Sequence, residues 1–327
     1  MPDYKGIQGT AVQNFAGDPT NPIDGQVWYN ASTGVFKYQV IIPTGAWATS
    51  ANINTARRAM GSAGTQTASL IFGGFTTVPV TAVLGNTETW NGTSWTELND
   101  LNTARIITGV GTNTAALGFA GSTNTPGTGI SALNESWNGT AWTELNDLNT
   151  ARTNLGGAGT QTAALGFGGI TSPTTTVVGN NESWNGTSWT EVNDLNTARS
   201  NLAGAGTQTA ALAFGGATPT IVANTETWNG TSWTEVNDLN TARGSLGGVG
   251  TQTAALAFGG GPPSIANTET WNGTAWTEVN DLNAAVRQNG GTGTNTAALS
   301  ISGLGLTAAT EEWNAPYSAT EIITTTT

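Results

Sequence analysis

The sequence predicts an all-β protein in which one four-stranded unit recurs six times behind an N-terminal hairpin. Three observations carry this reading. A segment close to Asn224–Arg243, NTETWNGTSWTEVNDLNTAR, returns along most of the chain. Its first tryptophan falls at Trp90, Trp137, Trp184, Trp228, Trp271 and Trp313, at spacings of 47, 47, 44, 43 and 42 residues. Self-similarity at such a period marks a repeat architecture. Forty-five glycines, with abundant Thr, Asn and Ala, fit many turns and short strands. No segment carries a helical period with caps.

Residues 1–45 stand apart in composition. DGQVWYNASTGVFKYQV reads as a hairpin, with strands Val27–Asn30 and Val35–Val40 around a turn at Ser32-Thr33-Gly34. The repeats follow as units of about 54–101, 102–148, 149–195, 196–239, 240–282 and 283–327. Asn-Thr-Ala-Arg or a variant opens each, with its arginine at Arg57, Arg105, Arg152, Arg199, Arg243 and Arg287. In unit 240–282 the four strands are GSLGGVGT, TAALAFGG, NTETW and AWTEV. The second is apolar at every position from Ala254 to Phe258, as expected of a strand covered on both faces. Four-stranded units at this period, covered on two sides, are blades of a β-propeller. Six blades are expected, in preference to seven.

The closure is also foreshadowed. AWATSANINTAR from Ala46 aligns with SWTELNDLNTAR from Ser94, so Trp47 stands where a fourth-strand tryptophan belongs, ahead of any complete unit. The last unit ends EEWNAPYSATEIITTTT and lacks its second tryptophan. Trp47–Ala51 is therefore expected to pair with the last unit or pack near it. SATEIITT reads equally as a competing fourth strand or a tail. The expected division is 1–45, an attachment segment, and 46–327, the propeller.

The details resemble the kelch repeat, in which a di-glycine after an apolar strand precedes two spaced aromatics. The di-glycines are Gly73-Gly74, Gly168-Gly169, Gly215-Gly216 and Gly259-Gly260; the second and sixth units depart with Ala120-Gly121 and Ser302-Gly303, and Trp replaces the kelch Tyr. The resemblance covers about residues 47–327. The GQ-WYN-T-G--K pattern of the leader is similar to short hairpins in bacteriophage tail and fibre proteins, where kelch-like arrays follow such leaders. These resemblances imply a virion protein, with residues 1–45 bound to other virion proteins and the propeller turned to a host surface.

Asn91-Gly92, Asn138-Gly139, Asn185-Gly186, Asn229-Gly230 and Asn272-Gly273 lie between the third and fourth strands. Asn-Gly is a strong hairpin signal because both residues tolerate positive φ. The following Thr also completes a glycosylation acceptor, but the N-terminus lacks the basic and apolar regions of a signal peptide. A loop of Asn229-Gly230 sets Trp228 opposite Thr231; a loop of Asn229–Ser232 sets it opposite Trp233. Either register brings both indoles to one face, as packing between blades or as stacking platforms for sugars.

Recognition is sought elsewhere. The first-to-second turn is GTQT or GTNT throughout, whereas the second-to-third connections differ: FTTVPVTAVLGN, STNTPGTGISALN, ITSPTTTVVGNN, ATPTIVAN and GPPSIAN. Variable loops on a repeated scaffold suit recognition, or drift. The candidate ligand residues are Phe75, Thr76, Thr77, Thr123, Asn124, Thr125, Thr171, Ser172, Thr174, Thr218, Thr220 and Ser264. The six arginines offer a second candidate, an anion-binding ring at the channel mouth. The alternative is pairing, either with the Asp five residues earlier, as Asp238 with Arg243, or with a Glu of a neighbouring blade. Asp100, Asp147, Asp194, Asp238 and Asp281 are oxygen donors for Ca²⁺ in principle, but one acid per loop is thin for that ion.

Composition narrows the class. A formal net charge of -12 argues against nucleic acid and against adhesion to an anionic membrane. No apolar run reaches about 20 residues, so no membrane insertion is expected. His and Cys are absent, and Tyr4, Tyr29, Tyr38 and Tyr317 lie outside the repeating core. Copper-oxidase and sialidase chemistry on a propeller thus lack their residues. The acids mostly recur identically, unlike the asymmetric carboxylate pair of a glycosidase. No enzyme, cofactor or metal is expected. The expected function is a non-enzymatic phage appendage protein recognising a host glycan or protein. The alternatives are a virion decoration or bridging protein without receptor binding, and a cellular kelch interaction module.

Overall fold

The computed structural model describes residues 12–20, 26–42, 45–76, 81–124, 129–171, 176–305, 308–315 and 317–322. Among them every regular element is a strand, and most belong to small four-stranded antiparallel sheets. The chain divides into two units: Met1–Gly45 with Ala315–Thr327, and Ala46–Asn314.

The smaller unit is one sheet in the order Gln13–Phe15, Val27–Asn30, Val35–Ile42, Tyr317–Ile322. The first pair is parallel and the rest antiparallel. The hairpin lies where the sequence puts it, with a second strand two residues longer than expected. Its turn is set by Asn30, whose Oδ1 accepts hydrogen bonds from the Ser32 N–H (3.1 Å), the Ser32 hydroxyl (2.7 Å) and the Thr33 N–H (3.1 Å). Gly34 completes it at φ +71°. The alternatives for SATEIITT resolve into a third arrangement: Tyr317–Ile322 is a strand, and its partner is Val35–Ile42. Tyr317–Ile322, expected within the second domain, thus shares a sheet with the hairpin of the first.

In the larger unit six four-stranded meanders follow one another. In the fourth, Ala203–Gly206, Ala211–Phe214, Thr225–Trp228 and Trp233–Val236 pair in sequence order. The second strand is wholly buried. The sixth sheet takes its fourth strand from the other end of the unit: Ala46–Ser50 pairs with Thr310–Asn314, and Trp47 opposes Trp313.

The core lies between sheets. Fourth-strand tryptophans pack on a second-strand phenylalanine of the preceding sheet: Trp142 on Phe72, Trp189 on Phe119, Trp233 on Phe167, Trp276 on Phe214 and Trp47 on Phe258, with ring centroids 4.6–5.0 Å apart. Trp95 clusters instead with Ile301 of the sixth sheet, where the phenylalanine is replaced. Polar contacts run the same way. The Gln208 amide donates to the Trp184 carbonyl, and the Asn193 amide to the Thr231 carbonyl at 2.8 Å. Gln66 of the first sheet donates to the Trp313 carbonyl of the sixth at 2.7 Å.

Candidate functional site

The repeated polar residues gather around one buried carboxylate per sheet. Glu226, on the third strand, accepts the Asn196 N–H (2.8 Å), the Asn196 amide (2.9 Å), the Thr197 N–H (3.3 Å) and the Arg199 guanidinium (3.0 Å). Arg199 also donates to the carbonyls of Gly215 (2.8 Å) and Asn224 (2.6 Å). The Asn-Thr-Ala-Arg motif is therefore a cradle for a glutamate 28–34 residues after its asparagine. Arg57–Glu88, Arg105–Glu135, Arg152–Glu182 and Arg243–Glu269 repeat the pair. Burial pushes each guanidinium's pKa down from its ordinary value, and the paired glutamate pushes it back.

This overturns the anion ring. Arg57, Arg105, Arg152, Arg199 and Arg243 are at most 2% exposed and neutralised inside the sheets, so they offer nothing to a ligand. The pairing alternative needs correction too, because the partner is a glutamate of the same unit, neither the Asp five residues earlier nor a neighbour's Glu. Arg287 does not belong to the set. Aligned on the cradle asparagine, the arginine position of the last unit is held by fully buried Val286, while Asn283 still donates to Glu311. The aspartates cap main chain: Asp100, Asp194, Asp238 and Asp281 accept the N–H of the third strand's first residue. Among the described residues no three acids converge as a metal cage.

The tryptophans are not platforms. Each pair sits directly opposed, as Trp228 with Trp233, with centroids about 5.4–5.5 Å apart and exposures of 0–6%. The intervening loop is the four-residue Asn229–Ser232. Only its glycine has positive φ, +91° at Gly230. Asn229 acts through its side chain, whose Oδ1 accepts the N–H groups of Thr231 and Ser232 at 2.9 Å. Asn91, Asn138, Asn185 and Asn272 do the same.

The second-to-third connections begin where the first strands begin. Arg58 bridges Phe75, Ser200 bridges Ala217, Gly244 bridges Gly261 and Arg287 bridges Leu304. Phe75 is buried under the Arg58 guanidinium, 4.5 Å from its ring centre, and presents little to a ligand. Thr123, Asn124 and Thr220 are exposed; Thr76, Thr171, Thr218 and Ser264 are half-buried. Asn124 tethers its own loop through the Gly129 N–H at 2.5 Å, and Ser264 donates to the Leu304 carbonyl at 3.3 Å. Ile221, 38% exposed, adds an apolar group the candidate set omitted. Thr77, Thr125, Ser172 and Thr174 lie outside the described residues.

A depression of about 200 Å³ has none of the six arginines expected at a channel mouth among its lining residues. It is lined by residues of all six first strands or the residues leading into them, among them Ala59, Ile106, Asn154, Asn201, Ser245 and Gln288. Ala59, Asn154, Asn201, Ser245 and Gln288 have φ of 51–57°. Main-chain bonds chain these residues together: Ala59 N–H to Gln288, Gln288 to Ser245, Ser245 to Asn201, and Asn201 to Asn154, at 2.7–2.8 Å. A second space of about 130 Å³ shares Ser62, Gly109, Gly157, Gly204, Gly248 and Gly291 with the first. The signal available in sequence was the polar residue two places after the cradle position in four of the six units, Asn154, Asn201, Ser245 and Gln288.

Among the described residues no helix is long and apolar enough to cross a membrane. No protein-family model matches the chain, and no curated protein matches it.

Proposed function

We propose that residues 46–314 form a six-bladed β-propeller of kelch type that acts, without enzymatic activity, as the recognition head of a phage virion appendage. The ring reading draws on contacts of the sixth sheet with the first. Ser62 donates to the Gly291 carbonyl (2.9 Å), Gln66 to the Trp313 carbonyl (2.7 Å), and the Thr292 hydroxyl to the Ser69 hydroxyl (3.0 Å). Ala46–Ser50 then supplies the closing strand, leaving no sheet in the array short of a strand.

One observation carries the recognition reading: the polar and aromatic side chains that recur from repeat to repeat are used up inside and between sheets. Glutamate, arginine, asparagine, glutamine and both tryptophans have internal partners in the fourth sheet. What differs between repeats is concentrated in the second-to-third connections at one end. These carry hydroxyls, amides and small apolar groups, which suit a neutral glycan or a protein surface. The virion placement rests on the resemblance of the Trp28–Lys37 hairpin to phage tail and fibre leaders.

Two experiments test the proposal. The full chain is applied to an array of bacterial surface polysaccharides. Binding that is lost when Thr218–Val222 is replaced by a glycine-serine loop is expected. Silence on every polysaccharide favours the decoration alternative. Peptide mass spectrometry of purified particles is expected to find the chain; its absence from virions sinks the phage reading.

A further inference from the structure

The larger unit contains seven cationic side chains, all arginine. Five are consumed by the buried glutamate pairs. The other two, Arg58 and Arg287, stand side by side. Arg58 immediately precedes Ala59 and Arg287 immediately precedes Gln288, and the Ala59 N–H donates to the Gln288 carbonyl at 2.8 Å. The two are therefore matched positions on the first and sixth repeats, where the second to fifth carry Ile106, Thr153, Ser200 and Gly244.

Among the described residues neither arginine has a carboxylate partner. Arg58 is braced by the Phe75 ring at 4.5 Å, and its Nε is buried without a hydrogen-bond partner. Its pKa is lowered from the ordinary value, first by burial and then by the charge of Arg287. In a chain of net charge -12, acids were available to neutralise this pair, as they do the other five. Two adjacent like charges raise each other's energy, and an anion between them relieves it. Guanidinium groups match the geometry of carboxylate and phosphate oxygens. Both arginines sit at the roots of connections, opposite Phe75 and Leu304, beside the depression lined by Ala59 and Gln288.

We propose that Arg58 and Arg287 form an oxyanion site, binding a carboxylate or phosphate group through both guanidinium groups. The site is independent of whether the neutral connections recognise a receptor.

The test follows the arginine Nε–H signals of the full chain by NMR during titration with sodium phosphate, with glucuronate and with glucose. A saturable shift of the Arg58 and Arg287 signals is expected with at least one anion and not with glucose. A phosphate-only response identifies phosphate esters as the source, and a glucuronate-only response identifies acidic sugars. Arg58→Gln and Arg287→Gln are each expected to weaken binding roughly tenfold or more, the loss of one charge-assisted contact. The signals of Arg199 report that the sheets stay intact, and Arg58→Lys and Arg287→Lys, which keep the charge, are expected to bind more weakly than wild type but better than the glutamine variants. Absence of a saturable shift with either anion overturns the proposal, as does undiminished binding by both glutamine variants.

Discussion

Glu226 shows what one residue does in this repeat. Its carboxylate is fully buried, and its cost is met by two main-chain N–H groups, one amide and one guanidinium. Removing the charge strands Arg199 in a dry interior. Glu226→Gln is expected to cost about 3–5 kcal/mol in urea denaturation, against almost nothing for exposed Glu235→Gln. The motif was legible as a motif, but its chemistry was not. Arginine and glutamate lie 27 residues apart in this repeat, and nothing local distinguishes that glutamate from the nearer aspartate. The leader motif has a similar logic. Trp28, Asn30 and Lys37 converge on Asp18, at 3.1, 2.6 and 2.8 Å. The Lys37 hydrogen bond, followed by that of Asn30, holds the Asp18 pKa below its ordinary value. A carboxylate whose folded pKa is depressed stabilises the fold above its unfolded pKa, and that contribution disappears as pH falls through the folded value. The Trp28 indole N–H resonance is therefore expected to titrate with a midpoint below about 3.9, the ordinary aspartate value.

At the scale of the strand and turn, the sequence left two registers for the Trp–Trp hairpin. The four-residue loop is the one observed, with Asn229 Oδ1 holding two N–H groups and Gly230 alone in the left-handed region. Asn229→Ala is expected to cost about 1 kcal/mol, read as a small drop in Tm. Trp233→Ala, which empties the space beside Phe167, is expected to cost about 3–5 kcal/mol. The alternation of buried and half-buried residues in the first strands was harder to read, because glycine carries no hydropathy signal. The glycines answer to crowding: a Cβ on Gly204 would lie 2.4 Å from the Gly157 carbonyl oxygen of the neighbouring sheet. Neighbouring first strands touch there, backbone to backbone. The connections escaped prediction for the opposite reason. Thr, Pro and Val in changing order specify no register, and the burial of Phe75 depends on Arg58, 17 residues earlier and joined to it only by an isolated bridge.

For the larger unit as a whole, the missing second tryptophan of the last repeat and the spare Trp47 were enough to anticipate the sheet they complete. Trp47→Ala is expected to raise amide hydrogen exchange in Thr310–Asn314 while leaving Thr225–Trp228 protected, since the lost contacts reach the sixth sheet and Phe258 and Thr268 of the fifth, but not the fourth. The destination of Tyr317–Ile322 was not legible, because that strand carries no tryptophan and no glycine to mark its partner. Nor was the arginine pair, since counting arginines along the chain set Arg287 where Val286 belongs.

The same pairings have a topological consequence. Ile42 lies opposite Tyr317 in one sheet, and Ala46 opposite Asn314 in another, so the chain leaves and re-enters the larger unit through adjoining strands. The 46–314 array is thus a guest domain spliced into the bend of a host hairpin. A host with that cassette replaced by a short turn is expected to keep the Trp28–Asp18 hydrogen bond, and a different cassette with neighbouring ends is expected to be accepted at the same splice points.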